Sequence, residues 1–290
     1  MYMIISITLT AIIVVLLMYR YKNREEIESN LGFKIVGYYL LGAFTFRINE
    51  LALPLGFMIF LLFFRPTRNV QLKQFSAMLG LIMYFAQLII PAVDEYWFER
   101  PHEVAGMSNH ASQLRFSDDW GNIRSEMNIE PHARLENFKM EYHPNGQITR
   151  LTYDLISSTE NGFIQYDVAF SSETKEYTIR RQNVGERWLQ YDRLVFASRF
   201  FEVLDEIKVR NVSIAPLFER NILISDGELA SYAIEDRRTY VIRGNEWQEV
   251  TNHDLPIEGY VITSCAKGET DAMSSGCENI VEYLFDARKN

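Results

Sequence analysis

Two long runs of apolar residues near the start of the chain constrain its fold more than any other feature of the sequence. Residues 3–18 (MIISITLTAIIVVLLM) and residues 75–93 (FSAMLGLIMYFAQLIIPAV) contain no charged side chain. About 17 to 25 apolar residues are enough for a helix to cross the hydrocarbon core of a membrane. The sequence therefore predicts membrane spans at about residues 2–19 and 75–93.

A cleaved signal peptide is the alternative interpretation of the first run. However, no basic segment precedes the run and no small-residue cleavage motif follows it. It ends instead in the aromatic and basic sequence YRYKNR at residues 19–24, which is typical of the cytoplasmic end of a membrane helix. We therefore expect this end of the helix in the cytoplasm and the N-terminus outside.

A third, mostly apolar stretch at residues 34–64 is interrupted near its centre by Arg47-Ile48-Asn49-Glu50. If this stretch crosses the membrane once, Arg47 and Glu50 lie near mid-bilayer at i, i+3 spacing. Such an intramembrane polar pair is costly and usually marks a functional site. If the stretch turns back instead, the same two residues are ordinary turn residues at the membrane surface.

The second arrangement, a hairpin of two short helices at about residues 31–46 and 50–65, is the favoured one. Lys and Arg are enriched in cytoplasmic loops, and only the hairpin keeps both basic loops, residues 20–34 and 65–74, on that side. Each arm is at the lower limit of length for a span. We therefore expect residues 1–93 to form three or four membrane helices.

Charge separates this region from the rest of the chain. Residues 1–93 contain eight Lys and Arg against four Asp and Glu, whereas residues 94–290 contain 21 against 34. An acidic domain argues against a nucleic-acid partner, because cations supply most of the affinity for phosphate. The expected partners are the lipid bilayer and another membrane or envelope protein. We expect the protein in the cell membrane, with its acidic domain outside the cytoplasm.

After a polar connector at residues 94–131, alternating apolar residues predict strands. Phe138, Met140 and Tyr142 alternate with polar residues, the sequence HPNG at 143–146 offers a turn, and residues 151–155 repeat the alternation. This pattern predicts a β-hairpin. Further strands are expected near residues 164–170, 177–179, 221–224, 229–234, 239–243, 259–263 and 279–285.

One helix is expected to cover the apolar face of the sheet. Residues 193–208 place Leu194, Ala197, Phe201 and Leu204 on one side of a helix. The sequence lacks the alternation of strands and helices that is typical of parallel sheets. Residues 132–290 are therefore expected to form an α+β globular domain with an antiparallel sheet and one packed helix.

The two cysteines, Cys265 and Cys277, lie twelve positions apart across a Gly- and Ser-rich segment. In an oxidising compartment they could form a disulfide. Two unrelated free thiols are equally consistent with the spacing. The sequence therefore predicts only a possible bond.

The sequence contains no catalytic or nucleotide-binding motif of the GxSxG, Walker A, GxGxxG, HExxH or EF-hand type. Asp118 and Asp119 with His132, or Asn252-His253-Asp254, could contribute metal ligands. The favoured interpretation is that these are solvated loop residues. We therefore predict no catalytic residue, no metal site and no cofactor.

Three functions fit these observations. The favoured one is a multi-pass, membrane-anchored accessory, sensor or binding module whose acidic domain binds a protein or envelope component. The second is an enzyme at the membrane surface with a carboxylate and histidine site assembled from distant residues. The third is a small transporter subunit using Arg47 and Glu50, which ranks last because the apolar runs contain few polar residues.

Overall fold

The computed structural model describes residues 2–49, 51–185, 188–207, 218–243, 246–267 and 277–285. It divides into two compact units, Met1–Phe98 and Glu99–Asn290. We call the first the helical unit and the second the sheet domain.

The helical unit contains four helices and one short strand pair in its described residues. The helices are α1 (Tyr2–Lys22), α2 (Leu31–Ala43), α3 (Leu55–Phe63) and α4 (Val70–Glu99), and strands β1 (Phe46–Ile48) and β2 (Leu51–Leu53) join α2 to α3. Only α1 and α4 among these helices are long and apolar enough to cross a membrane. The structure therefore supports two candidate spans rather than the expected three or four.

The middle stretch of the helical unit is interrupted by its own sequence. Asn49 adopts a positive φ of 53°, and Pro54, which has no amide proton, precedes the start of α3. The antiparallel pairing of β1 with β2 turns the chain back on itself. Residues 34–64 therefore do not form one continuous helix. The two helices, α2 and α3, have only 13 and 9 residues and end short of the predicted arms.

Small residues bring α2 and α4 close together. A Cβ atom at Gly42 would collide with the backbone of Ala77, and one at Gly80 would collide with the backbone of α2. Beside this crossing, the Ser76 hydroxyl donates a 2.6 Å hydrogen bond to the backbone oxygen of Ile35. Close backbone approach at small residues, with a hydrogen bond between helices, is typical of helix packing in lipid.

Helix α1 packs on α4 along one narrow stripe. Ile13 contacts Leu79 and Met83 in a small buried cluster. Most of the remaining surface of α1 is apolar and exposed in this unit, for example at Ile7 (60%) and Val15 (63%). A helix in the core of a water-soluble protein would instead bury such side chains on most sides.

A polar cluster joins the start of α2 to the start of α4. The Glu28 carboxylate forms ion pairs with Lys34 (2.7 Å) and Lys73 (2.9 Å) and accepts a hydrogen bond from the Asn69 amide. Hydrogen bonds from Lys34, Lys73 and Asn69, in that order of importance, lower the pKa of Glu28 to about 2. Through Lys34 of α2 and Lys73 of α4, this cluster holds the first turns of the two helices side by side.

The sheet domain contains one mostly antiparallel sheet of eleven strands, as far as its residues are described. The strands are β3 (His102–Ala105), β4 (Arg134–Tyr142), β5 (Ile148–Thr159), β6 (Gly162–Ser171), β7 (Glu176–Gly185), β8 (Arg220–Ser225), β9 (Ala230–Tyr232), β10 (Arg238–Arg243), β11 (Glu246–Glu249), β12 (Ile257–Lys267) and β13 (Glu278–Phe285). Their order is β11-β10-β13-β12-β8-β4-β5-β6-β7-β3, and β9 pairs with β12. One neighbouring pair, β10 with β13, is parallel, which the sequence pattern did not predict.

The predicted hairpin corresponds to β4 and β5. Phe138 and Met140 point to the same face as Tyr153 and are buried there. Gly146 in the connecting turn has a φ of 94°, and a Cβ atom there would collide with the ring of His110. The turn therefore requires glycine for both its backbone conformation and its packing.

Two helices cover the apolar face of the sheet, one more than expected. Helix α6 (Ala197–Ile207) corresponds to the predicted helix and buries Phe200 and Phe201. Helix α5 (Phe116–Met127) buries Trp120 and Ile123 and lies within the segment expected as a connector, as does β3. Most of residues 94–131 therefore belong to the folded sheet domain.

Candidate functional site: the open face of the sheet

The face of the sheet opposite the two helices carries polar side chains at the centre of β4 to β7. Strand alternation directs Phe138, Tyr153 and Val168 toward the helices, so that their neighbours point the other way. These neighbours are exposed or half-buried in the sheet domain. We call this surface the open face, and its central residues are Glu136, Asn137, Asp154, Gln165, Asp167 and Gln182.

An irregularity in β4 brings Glu136 to the open face. Leu135 pairs with Leu155 and Asn137 pairs with Asp154, so Glu136 is an extra residue between two register positions. Such a β-bulge redirects a side chain that regular alternation would point to the other face. As a result, consecutive polar residues of β4 face the same surface.

Two carboxylates stand directly opposite each other at the centre of the open face. Asp154 on β5 pairs with Asp167 on β6. Like charges in directly opposed positions destabilise a sheet. The Asn137 amide relieves part of this repulsion by donating a 3.3 Å hydrogen bond to Asp154. Across the β6–β7 pair, Arg180 stands opposite Asp167.

Burial and mutual repulsion change the acidity of this cluster. Partial burial is the main cause that raises the pKa of Glu136, and the charges of Asp154 and Asp167 raise it further. Burial likewise raises the pKa of Asp154, with a smaller contribution from Asp167. Glu136 and Asp154 are therefore held in an environment that disfavours their charged forms.

The chemistry available at this face is hydrogen bonding and charge pairing. Carboxylates and amide oxygens accept hydrogen bonds from cationic or hydroxyl groups, and the Gln182 amide already donates a 2.9 Å bond to Gln165. Within the described ranges, no three His, Cys, Asp or Glu residues are arranged to hold a metal ion. The described residues of the open face therefore offer hydrogen-bond donors and acceptors together with carboxylate charge.

The structure joins the two cysteines in a disulfide. Cys265 lies near the end of β12 and Cys277 immediately before β13, with their Cα atoms 5.4 Å apart. Cys265 is buried, with an exposed fraction of 2%. The bond links two neighbouring strands of the sheet, while most of the Gly- and Ser-rich segment between them, residues 268–276, lies outside the described residues.

The predicted polar pair of the helical unit is described only at its first member. Arg47 lies in β1 opposite Ala52, and its side chain is exposed in this unit. Glu50 lies outside the described residues. The geometry between the two side chains therefore stays a prediction.

The other acidic and histidine residues considered from the sequence have separate environments. Asp119 is buried in α5, where it accepts hydrogen bonds from the Tyr177 hydroxyl and the Met107 amide. His132 lies beside the ring of Phe196. Residues 252–254 form a short 3-10 turn, Asn252–Asp254, in which the Asp254 carboxylate accepts hydrogen bonds from the amide and the hydroxyl of Thr251. The contacts described for Asp119, His132 and Asn252–Asp254 are therefore local to their own segments and the sheet beside them.

The open face is not predicted from the sequence. The apolar positions of β4 predict the strand, whereas the adjacent polar pair Glu136-Asn137 does not by itself indicate a site. Two consecutive polar residues inside an alternating strand indicate a β-bulge, and this signal is present in the sequence. The pairing of Asp154 with Asp167 required the register of β5 and β6, which the sequence does not give.

These observations define a chain with an apolar helical unit followed by a mostly antiparallel sheet domain. A model of a protein family, described as an archaeal family, matches residues 117–281, which is more than half of the chain. The chain therefore belongs to this archaeal family. No curated protein matches the chain, and no solved structure does.

Proposed function

We propose that this protein is a multi-pass, membrane-anchored binding module. In this proposal the helical unit lies in the bilayer, and the sheet domain binds a protein or envelope component outside the cytoplasm through the open face. The observation that carries the binding role is the pairing of Asp154 with Asp167 on a face that the two helices leave uncovered. Like charges that weaken a sheet are expected where a ligand compensates them.

The apolar surface of the helical unit supports the membrane anchor. Ile4 is 72% exposed, Met18 67% and Leu62 67% in this unit. Soluble monomeric proteins rarely expose contiguous apolar surface of this extent. In a bilayer, lipid tails surround these side chains, which removes the free-energy cost of exposing apolar surface to water.

The packing of α1 favours a retained helix over a cleaved signal peptide. Ile13 fits against Leu79 and Met83, and Arg20 lies 4.9 Å above the ring of Phe75. Loss of α1 would uncover this stripe on α4. The helix is therefore proposed as a permanent part of the anchor.

The disulfide supports an extracytoplasmic sheet domain. Disulfides persist mainly in oxidising compartments outside the cytoplasm. The basic residues near the ends of α1 and α3, including Arg24, Arg65 and Arg68, favour the cytoplasmic side for those loops. If the loop with Arg65 and Arg68 lies in the cytoplasm and α4 crosses the bilayer once, the sheet domain lies outside the cytoplasm, where a disulfide persists.

The open face indicates the chemistry of its partner. Glu136, Asp154 and Asp167 gain a compensating charge if the partner presents basic side chains, and they gain hydrogen bonds if it presents hydroxyl groups. Contact with a cation would lower the raised pKa of Glu136 and Asp154. Binding is therefore expected to weaken as salt concentration rises and as the carboxylates become protonated.

Site-specific photo-crosslinking in intact cells tests this proposal. A photoreactive benzophenone amino acid replaces Ala169, an exposed residue on the open face, or Met107, which is 54% exposed away from it. Irradiation should give a discrete adduct from position 169 and not from position 107. Combining the probe at 169 with Asp154→Asn and Asp167→Asn should reduce the adduct.

Two results contradict the proposal. One is an absence of adduct at 169 in cells where the full-length protein resists alkaline extraction from membranes. The other is an adduct whose yield is unchanged by the double substitution. The topology is checked separately with Thr67→Cys, since labelling of this loop by an impermeant reagent added outside contradicts its cytoplasmic location.

A further inference from the structure

Three segments of the helical unit meet at one end of its helices. The backbone amide of Glu26, in the loop after α1, donates a 3.0 Å hydrogen bond to the side chain of Asn69, which directly precedes α4. The Glu28 carboxylate pairs with Lys34 of α2 and Lys73 of α4. The end of α1 and the starts of α2 and α4 therefore lie together.

The end of α3 lies at the same end of the unit. The ring of Phe64, which directly follows α3, contacts the ring of Tyr38, with the two centroids 6.2 Å apart. Tyr38 is four residues beyond Lys34 on α2, so the two side chains lie on the same side of that helix. Arg65 follows Phe64 and therefore belongs to this end as well.

Exposed cations surround this end of the helical unit. Residues 20–34 and 65–74 contain seven Lys and Arg against three Glu. Glu28 pairs with Lys34 and Lys73, whereas the other five cations are exposed. Within the described part of the chain, the only ion pair of these five is a 3.9 Å contact between Arg68 and Glu26, whose side chains are 66% and 57% exposed. We call these five residues the basic rim: Arg20, Lys22, Arg24, Arg65 and Arg68.

The basic rim lies where two apolar runs end. Arg20 is two positions beyond the run at residues 3–18, and its guanidinium lies 4.9 Å from the ring centroid of Phe75, where the run at residues 75–93 begins. Tyr19, beside Arg20, is 64% exposed. Aromatic and basic residues next to an apolar run are typical of the membrane–water interface. In the membrane location of the proposed function, the rim therefore lies among the lipid headgroups.

On the basis of that membrane location, we propose that the basic rim binds the phosphate groups of anionic phospholipids. Four of its five cations are arginines, whose planar guanidinium binds a phosphate through two parallel hydrogen bonds. Four to eight Lys and Arg beside a membrane helix are attracted to anionic headgroups. Glu28 neutralises the two lysines between α2 and α4 and leaves the exposed cations of the rim available to lipid.

Spin-labelled lipids in reconstituted vesicles test this binding. The full-length protein is inserted into phosphatidylcholine vesicles that contain a trace of spin-labelled phosphatidylglycerol or spin-labelled phosphatidylcholine. Electron paramagnetic resonance measures the fraction of each labelled lipid that is immobilised on the protein. The anionic probe should bind at least about threefold more strongly than the neutral one at low salt. About 1 M NaCl should reduce this preference, because it screens exposed charges.

Two single arginine substitutions provide a matched comparison. Arg65→Gln should reduce the preference for the anionic probe, and Arg24→Gln/Arg65→Gln/Arg68→Gln should remove most of it. Arg47→Gln removes the same charge from an exposed position in β1, beyond the opposite end of α2, and should leave the preference unchanged. Circular dichroism checks that each variant is folded.

Two results would overturn the proposal. One is equal immobilisation of the two labelled lipids by the natural protein. The other is an equal loss of preference in Arg65→Gln and Arg47→Gln, because the preference would then follow the net charge of the protein rather than the basic rim.

Free phosphate distinguishes a lipid headgroup from a soluble anion. Inorganic phosphate on both sides of the vesicle, at constant ionic strength, should leave the preference unchanged, because the bilayer holds its headgroups at a high local concentration. Displacement of the anionic probe by phosphate would assign the rim to a soluble anion and overturn the lipid proposal.

The same vesicles separate this proposal from the membrane anchor. A protein that does not insert and immobilises neither lipid would contradict the membrane location on which the proposal rests. A protein that inserts and immobilises both lipids equally would contradict only the role of the basic rim.

Discussion

Tyr177 on β7 donates a 2.7 Å hydrogen bond to the carboxylate of Asp119 on α5, and both groups are buried. The bond ties the first helix of the sheet domain to the sheet beneath it. Burial is the main cause that raises the pKa of Asp119, while the bonds from Tyr177 and the Met107 amide act in the opposite direction. Desolvation therefore exceeds the stabilisation that these two donors give to the charged carboxylate.

The raised pKa predicts how Asp119 affects stability with pH. A carboxyl group with a raised pKa in the folded state stabilises the fold below its ordinary pKa of about 3.9, and this contribution is lost as pH rises through the folded-state pKa. Asp119→Asn keeps an acceptor oxygen for Tyr177 and removes the charge. The variant should therefore gain stability relative to the natural protein as pH rises from 3 to about 7. Denaturant unfolding across this range measures the difference, and a constant difference contradicts the prediction.

Removal of the donor should have the opposite effect. Tyr177→Phe leaves the Asp119 oxygen without its side-chain partner and should destabilise the protein by about 1–3 kcal/mol. The loss should grow with pH, because the charged carboxylate needs the bond most. Tyr177→Phe in the Asp119→Asn background is the control, and an equally strong pH dependence there would assign the effect to another group.

Asp205 of α6 caps the first turn of α5. Its carboxylate accepts hydrogen bonds from the backbone amides of Phe116 and Ser117 and from the Ser117 hydroxyl. Asp205→Ala should lower the free energy of unfolding by about 1–2 kcal/mol, as loss of a helix cap does. Glu202→Ala, at a more exposed position of the same helix, should change it by less than about 0.5 kcal/mol. Equal effects of the two substitutions in thermal unfolding would contradict a capping role.

The crossing of α2 and α4 predicts a matched glycine pair. Gly42→Ala places a methyl group against the backbone of Ala77, whereas the same change at Gly37 meets nothing within 4 Å. Overpacking of this kind costs about 1–3 kcal/mol. Gly37→Ala should be neutral or stabilising by up to about 1 kcal/mol, because alanine favours the helix. Thermal unfolding of the purified protein in detergent should separate the two, and equal midpoints would contradict the close crossing.

The disulfide should contribute measurable stability to the sheet domain. Closing a loop of this length is expected to contribute about 3 kcal/mol by restricting the unfolded chain. The double variant Cys265→Ser/Cys277→Ser should therefore unfold at a lower denaturant concentration than the oxidised protein. Reduction should destabilise the natural protein by a similar amount and leave the double variant unchanged, and a response of the variant to reductant would contradict this assignment.

Much of the sheet domain could be predicted from the sequence because its strands face water on one side. The alternation of Phe138, Met140 and Tyr142 with polar residues gave β4, and the glycine at 146 gave the turn. Helix α6 followed from its concentrated apolar stripe. In each case a local pattern matched the burial that the fold imposes.

Elements with few buried apolar residues were not predicted, because such elements leave only a weak apolar pattern in the sequence. Helix α5 buries five residues, and one of them is the charged Asp119, so its apolar pattern is weak. Strand β11 has four residues and β3 has four, too few for an alternation to stand out. The pairing of Asp154 with Asp167 depends on register between strands, for which a single sequence carries little information.

In the helical unit, by contrast, more membrane helices were predicted than the structure supports. Hydropathy identified α1 and α4 directly, but the intervening stretch was interpreted as membrane helices because its composition is equally apolar. The structure separates α2 from α3 by two strands, and the bond from Tyr84 to Ala52 connects them to α4. Composition reports how well a segment tolerates lipid, whereas its length and path depend on contacts between segments.

The position of β13 between β10 and β12 has a consequence for biosynthesis. Its neighbours are β10, which precedes it by more than 30 residues, and β12, to which it is antiparallel. During synthesis, β10 and β11 can form their own hairpin but cannot join the rest of the sheet until residues 278–285 have left the ribosome. The nascent domain therefore exposes two strand edges until that moment, one on β10 and one on β12, and unpaired strand edges of this kind are prone to pair with other chains.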